Sequence, residues 1–136
     1  MASRVEEVVG QIGAHEGASN AALQELGEWA KGRLPDWYLS FLRRCNGAEG
    51  ALSVSSYIAL WRAEDVADLN SGYAVDEFVP GLILFGTDGG NTGYAFDSRG
   101  SALRVVEVPL LGMALEEVTD IASDLEEFFE VLSSRS

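Results

Sequence analysis

Leu82-Ile83-Leu84-Phe85-Gly86-Thr87-Asp88-Gly89-Gly90-Asn91-Thr92-Gly93-Tyr94-Ala95-Phe96-Asp97 reads as strand, tight turn, strand. Residues 82–85 are a continuous apolar run of the length of a buried strand. Residues 93–97 alternate, which puts Tyr94 and Phe96 on one face. Between the two runs stand Asp88 and Asn91, whose side chains can bond back to the backbone, and glycines that reach positive φ without steric penalty. Segments 82–85 and 93–97 are therefore predicted to be adjacent antiparallel strands of a hairpin.

Before this stretch the pattern is mostly helical. Val5, Val8, Val9 and Ile12 recur at helical spacing and predict an amphipathic helix over residues 3–13. Residues 14–19 form a polar break. Asn20 is placed to cap a second helix with Leu23, Leu26 and Ala30 on one face, ended by Gly32. Leu34-Pro35 opens a third, with Pro at its first position, where the missing N–H is harmless. Its apolar set is Tyr38, Phe41, Leu42 and Cys45, and Asn46-Gly47 reads as a left-handed cap. Residues 50–54 and 57–61 read as strands, and 64–70 as a short helix with Val66 and Leu69 turned inward. Residues 73–79 are either a loop or a weak strand.

After the hairpin, residues 103–108 are a strand stopped by Pro109, and 110–118 a loop. Ile121, Leu125, Phe128, Phe129 and Leu132 mark a closing helix, with Ser123 and Glu126 at capping-box spacing. Short links between strands imply a mainly antiparallel sheet. Helices packed on one side of it make a single α+β domain over residues 1–136. Phe41, Leu84, Phe96 and Phe128 are expected to be buried together, each on the apolar face of its element.

The 136 residues are 47% hydrophobic, enough for one real core. No run approaches the roughly 18 apolar residues of a membrane span. The start, Met1-Ala2-Ser3-Arg4-Val5-Glu6-Glu7, lacks the apolar centre of a secretion signal. Cys45 is the single cysteine. It suits a small buried hydrophobe in a reducing, cytoplasmic setting.

The net charge is −13 and unevenly spread. Residues 63–98 hold seven acids and no Lys or Arg, whereas residues 1–62 hold seven acids and six bases. Such a field argues against nucleic acid or an anionic membrane as a direct ligand. It attracts a basic protein partner and speeds encounter; the plainer reading is solubility alone.

Enzyme chemistry has little to stand on. The one histidine, His15, lies in the polar break and reads as solvated rather than as a general base. One His and one Cys do not make a zinc site of the usual ligands. Asp88, Asn91 and Asp97 lie close along the hairpin but lack the spacing and closing Glu of an EF-hand. Gly89-Gly90-Asn91-Thr92-Gly93 is not followed by the Lys or the helix of a phosphate loop. The expectation is no catalytic residue, no metal and no cofactor. For partner contact, Tyr73, Asp76 and Glu77 sit in the base-free segment, next to a rigid sheet where loops often carry function. Asp88, Asn91 and Asp97 join them, with Asp88 alternatively holding the turn and Asp97 ending the strand. Trp61 reads as core, and Trp37, beside the core-facing Tyr38, as the better surface aromatic.

Four segments, in order, resemble the SUKH superfamily, which contains the yeast cell-wall-assembly regulator and many bacterial immunity proteins. They are Leu34-Pro35-Asp36-Trp37-Tyr38 through Phe41-Leu42 and Asn46-Gly47; the run 57–61 with Glu64-Asp65; Phe85-Gly86-Thr87-Asp88-Gly89-Gly90-Asn91 with the run 94–97; and Ile121-Ala122-Ser123 with Leu125-Glu126-Glu127-Phe128. The resemblance covers about residues 20–132, leaving residues 3–13 outside. It implies an α+β fold around a mainly antiparallel sheet and a non-catalytic binding protein. Many of its bacterial members neutralise toxins, nucleases among them, and this resemblance joined to the acidic second half points to an immunity protein for a basic toxin domain. The alternative is a regulatory or scaffold module for protein interaction.

Overall fold

A computed structural model describes residues 8–9, 12–14, 16–52 and 56–134. The sequence-predicted helix over 3–13 and His15 lie largely outside them. Val8 and Val9 are helical, and Val8 and Ile12 are buried in the main core.

The elements follow as β1 (Gly13–Ala14), α1 (Asn20–Ala30), α2 (Asp36–Arg44), β2 (Ala48–Ala51), β3 (Tyr57–Leu60), α3 (Ala63–Gly72), α4 (Val75–Phe78), β4 (Leu82–Thr87), β5 (Thr92–Asp97), β6 (Arg104–Pro109), a 3₁₀ turn (Leu115–Glu117), β7 (Thr119–Ala122) and α5 (Leu125–Ser134). Among the described residues, seven strands form one sheet in the order of the chain, every neighbouring pair antiparallel. The class is α+β, as the sequence predicts, but the helices are not all on one side, since Val75 of α4 and Val79 just after it pack on the face opposite α1, α2 and α5. The break at 14–19 is shorter than expected, because Gly13 and Ala14 pair with Glu49 and Ala48.

The hairpin forms as read. Ile83 faces Phe96 across the pair and Leu84 faces Ala95; Phe85 is then the extra residue of a bulge before Gly86 pairs with Tyr94. Asp88 Oδ1 accepts from the amides of Gly90 (2.8 Å) and Thr92 (3.1 Å), closing the turn, and Gly89 takes the positive φ of 82° that favours glycine. Gly86 is required for a different reason: a Cβ there would sit 2.6 Å from the Ala59 carbonyl oxygen on β3.

Strand alternation sorts the central strands between two cores. Ile83, Phe85, Tyr94, Phe96 and Val105 join Tyr38, Phe41, Phe128 and Phe129 on the face covered by α1, α2 and α5. There Phe85 stacks on Phe96 at 4.3 Å between ring centroids, and Phe128 meets Phe85 and Tyr94 edge-on. Leu82, Leu84, Ala95, Val106 and Val108 form a smaller core on the other face with Val75, Val79 and Met113. Leu84 therefore does not join Phe41, Phe96 and Phe128 as expected. A strand buried on both faces does not reveal in its own sequence which side chain goes where.

Several boundaries differ from the sequence reading. Ser19, not Asn20, caps α1 by accepting from the Ala22 amide, and Lys31 at φ 53° ends it before Gly32. Asn46 does not cap α2; Cys45 ends that helix in an extended conformation. Residues 73–79 contain the short helix α4 rather than a strand. Ile121 belongs to β7, and α5 begins after Asp124, whose side chain accepts from the Glu127 amide.

Candidate functional site

The structure divides the sequence-predicted partner residues into four places. Asp97, 8% exposed, is held by Arg99: its Oδ1 accepts from the Arg99 amide and Nε, both at 2.9 Å, and its Oδ2 from Nη2 at 2.7 Å. The hydrogen bonds from Arg99 hold its carboxyl below the usual aspartate range. Asp88 and Asn91 lie at the hairpin tip. Asn91 accepts at its carbonyl from the Leu110 amide (2.7 Å) and at Oδ1 from the Leu111 amide (2.8 Å), tying the 110–112 loop to the turn. Trp37 is half-buried, its ring edge-on to Phe96 at 5.5 Å. At the corner between α3 and α4, Tyr73 ends α3 and Asp76 and Glu77 follow on α4, all three exposed.

That corner is built from its anchors. Val75 and Val79, one helical turn apart, are buried in the smaller core. The spacing turns Asp76, Glu77 and Phe78 outward. Ala74, at φ 54° in the left-handed region, makes the sharp step from α3 to α4, and its carbonyl accepts from the amides of Glu77 and Phe78. Tyr73 is 38% exposed and Phe78 53%. Tyr73 also lies parallel to Trp61, ring planes 1° apart and centroids 6.3 Å apart. Trp61 is half-buried, packing against both cores.

Beneath the corner, Asn70 fixes α3 to the sheet. Beyond Trp61, whose amide still donates to the Phe85 carbonyl (3.0 Å), the chain leaves β4, and Asn70 of α3 bonds to the next part of that edge. The buried Asn70 amide group stands in for a missing strand. Its Nδ2 donates to the carbonyls of Leu84 (2.9 Å) and Val66 (2.7 Å), and its Oδ1 accepts from the Leu84 amide (2.8 Å). Asn46 works similarly at the start of α3: its Oδ1 accepts from the Ala63 amide (2.7 Å) and its Nδ2 donates to Glu64 (2.8 Å). That bond holds the Glu64 carboxyl below its ordinary range.

A cleft of about 330 Å³ opens between the end of α1 and α4, lined by Trp29, Arg33, Asn70, Ser71, Asp76 and Glu77 among others. Arg33 lies over the Trp29 ring at 6.0 Å, and its Nε donates to the Ala30 carbonyl at 2.9 Å. Trp29, Arg33 and Phe78 were missed in the sequence. Phe78 is foreshadowed by the Val75/Val79 spacing. Trp29 and Arg33 lie some forty residues upstream of α4 and carry no local signal of the cleft.

Among the described residues, no group of three or more His, Cys, Asp or Glu side chains comes together as a metal site, and no helix is long and apolar enough to cross a membrane. At the α3–α4 corner Tyr73, Asp76, Glu77 and Phe78 are exposed. The chain belongs to the SMI1 / KNR4 family (SUKH-1), whose family model matches residues 17–131. This agrees with the resemblance drawn from the four segments, and the match likewise begins after residues 3–13. The family is in general one of non-catalytic immunity and regulatory proteins. No curated protein sequence matches the chain.

Proposed function

We propose that this chain is an immunity protein that captures a basic toxin domain, such as a nuclease, through the acidic corner between α3 and α4. The observation that carries the proposal is the corner itself. Tyr73 and Phe78 are exposed beside Asp76 and Glu77, in a stretch of 36 residues (63–98) without a single Lys or Arg. Aromatic anchors inside a charged rim are the usual anatomy of a protein interface. A toxin that works on nucleic acid needs a basic surface for phosphates, and an acidic protein can occupy it. Opposite charge also raises the capture rate, which matters when free toxin is lethal.

The test is protection. Cells expressing the toxin domain encoded beside this gene survive when the wild-type chain is co-expressed and die when it carries Tyr73→Ala with Phe78→Ala at equal abundance. Survival with the doubly substituted chain refutes the corner as the docking site. If no such toxin lies beside the gene, the regulatory reading replaces the immunity one.

A further inference from the structure

The cleft beside the corner holds charges of both signs that do not neutralise each other. Asp76 and Glu77 line it from α4, and Arg33 lines it from the end of α1. Arg33 spends its Nε on the Ala30 carbonyl and rests over Trp29; among the described residues it forms no ion pair with either carboxylate. Asn70, also in the lining, has its amide committed to Leu84 and Val66, so it is a fixed wall and not a free donor. A partner group carrying only positive charge would gain from the two carboxylates and lose to the guanidinium. One carrying a cation and an anion side by side gains from both. Trp29 lines the same cleft beneath the Arg33 guanidinium, so its indole reports on what enters.

We propose that the cleft is a two-signed socket, which takes a segment of the docked protein partner presenting a basic and an acidic side chain next to each other. The inference rests on the reading of the α3–α4 corner as the docking face. It goes further in that net charge brings the partner in and a matched charge pair then fixes its register, as charged rims do for specificity.

Three blocked dipeptides test the socket without the partner: N-acetyl-Lys-Glu-amide, N-acetyl-Lys-Lys-amide and N-acetyl-Glu-Glu-amide. Each is titrated into the full chain at low salt while the Trp29 indole N–H resonance is followed. The mixed-charge peptide is expected to shift that resonance saturably, and several-fold more tightly than either single-sign peptide. Arg33→Gln is expected to weaken the mixed peptide several-fold and to leave the Lys-Lys peptide unchanged or tighter. Tighter binding of Lys-Lys than of Lys-Glu to the wild-type chain would overturn the socket, as would no saturable shift with any peptide. Tighter binding of the mixed peptide by Arg33→Gln would do the same. In the Lys-Lys case the acidic docking face still stands, provided Asp76→Asn with Glu77→Gln abolishes the binding. That double substitution leaving every peptide unaffected would count against the docking face as well.

Discussion

Asn70 shows how much of this fold rests on single polar side chains. It sits in the last turn of α3, where its side chain bonds to the Leu84 amide and carbonyl on the β4 edge. Removing it strands the Leu84 amide and carbonyl in a dry place, at about 1–3 kcal/mol for each orphaned group. Asn70→Ala should therefore lower unfolding stability in urea by more than about 2 kcal/mol. A loss below about 0.5 kcal/mol would show that the edge is satisfied otherwise. Asp97 allows a prediction of opposite character. Its carboxyl is held below the ordinary range by Arg99, so the stabilisation is present above the unfolded-state value of about 4 and disappears as pH falls through the folded value. Urea midpoints measured from pH 7 down to pH 2 should fall less steeply for Asp97→Asn than for the wild type. Identical acid slopes would mean that the Arg99 contact contributes nothing. Neither role is visible in sequence: Asn70 reads as a helix-end polar residue, and Asp97 as the end of a strand.

At the scale of elements, the β4–β5 hairpin is the part most legible beforehand, because both strands and their turn formers lie within sixteen consecutive residues. Its bulge is not legible, since the extra residue shows only in the register of β4 against β5. Gly86 lets β3 approach, and Gly86→Ala should force the Ala59 carbonyl away and destabilise the protein by about 1–3 kcal/mol. Thermal unfolding within a degree of the wild type would contradict that contact. Phe128→Ala, at the meeting of α5 with Phe85 and Tyr94, should cost about 3–5 kcal/mol, a large share of a typical domain's stability. The elements misread have physical reasons in common. β7 is four residues long, and its Ile121 falls in phase with Leu125 and Phe128, so the helical pattern absorbs it. α4 is also four residues long, too short for periodicity to declare itself, and it is held by Val75 and Val79 against a core assembled from distant strands. The second core escaped notice for the same reason: β4 and β5 are apolar on both sides, and only pairing decides which side chain faces where.

At the scale of the whole molecule, charge and fold act together. Val75 and Val79 anchor the α3–α4 corner in the smaller core, and the base-free stretch from 63 to 98 supplies both the corner and the hairpin. Of the residues the sequence singles out, Tyr73, Asp76 and Glu77 are exposed at the α3–α4 corner and form the proposed contact, whereas Asp88, Asn91 and Asp97 bond within the turn, to the 110–112 loop and to Arg99. Composition reveals where acid is plentiful but not which carboxylates already have partners. The most direct measurement of the central claim is the association rate with the toxin domain encoded beside the gene, taken by stopped flow at rising salt. The rate should fall steeply as salt rises, and Asp76→Lys with Glu77→Lys should slow it at least tenfold at low salt while leaving the melting temperature unchanged. Association that is fast and indifferent to both salt and this double substitution would contradict the acidic corner as the docking face.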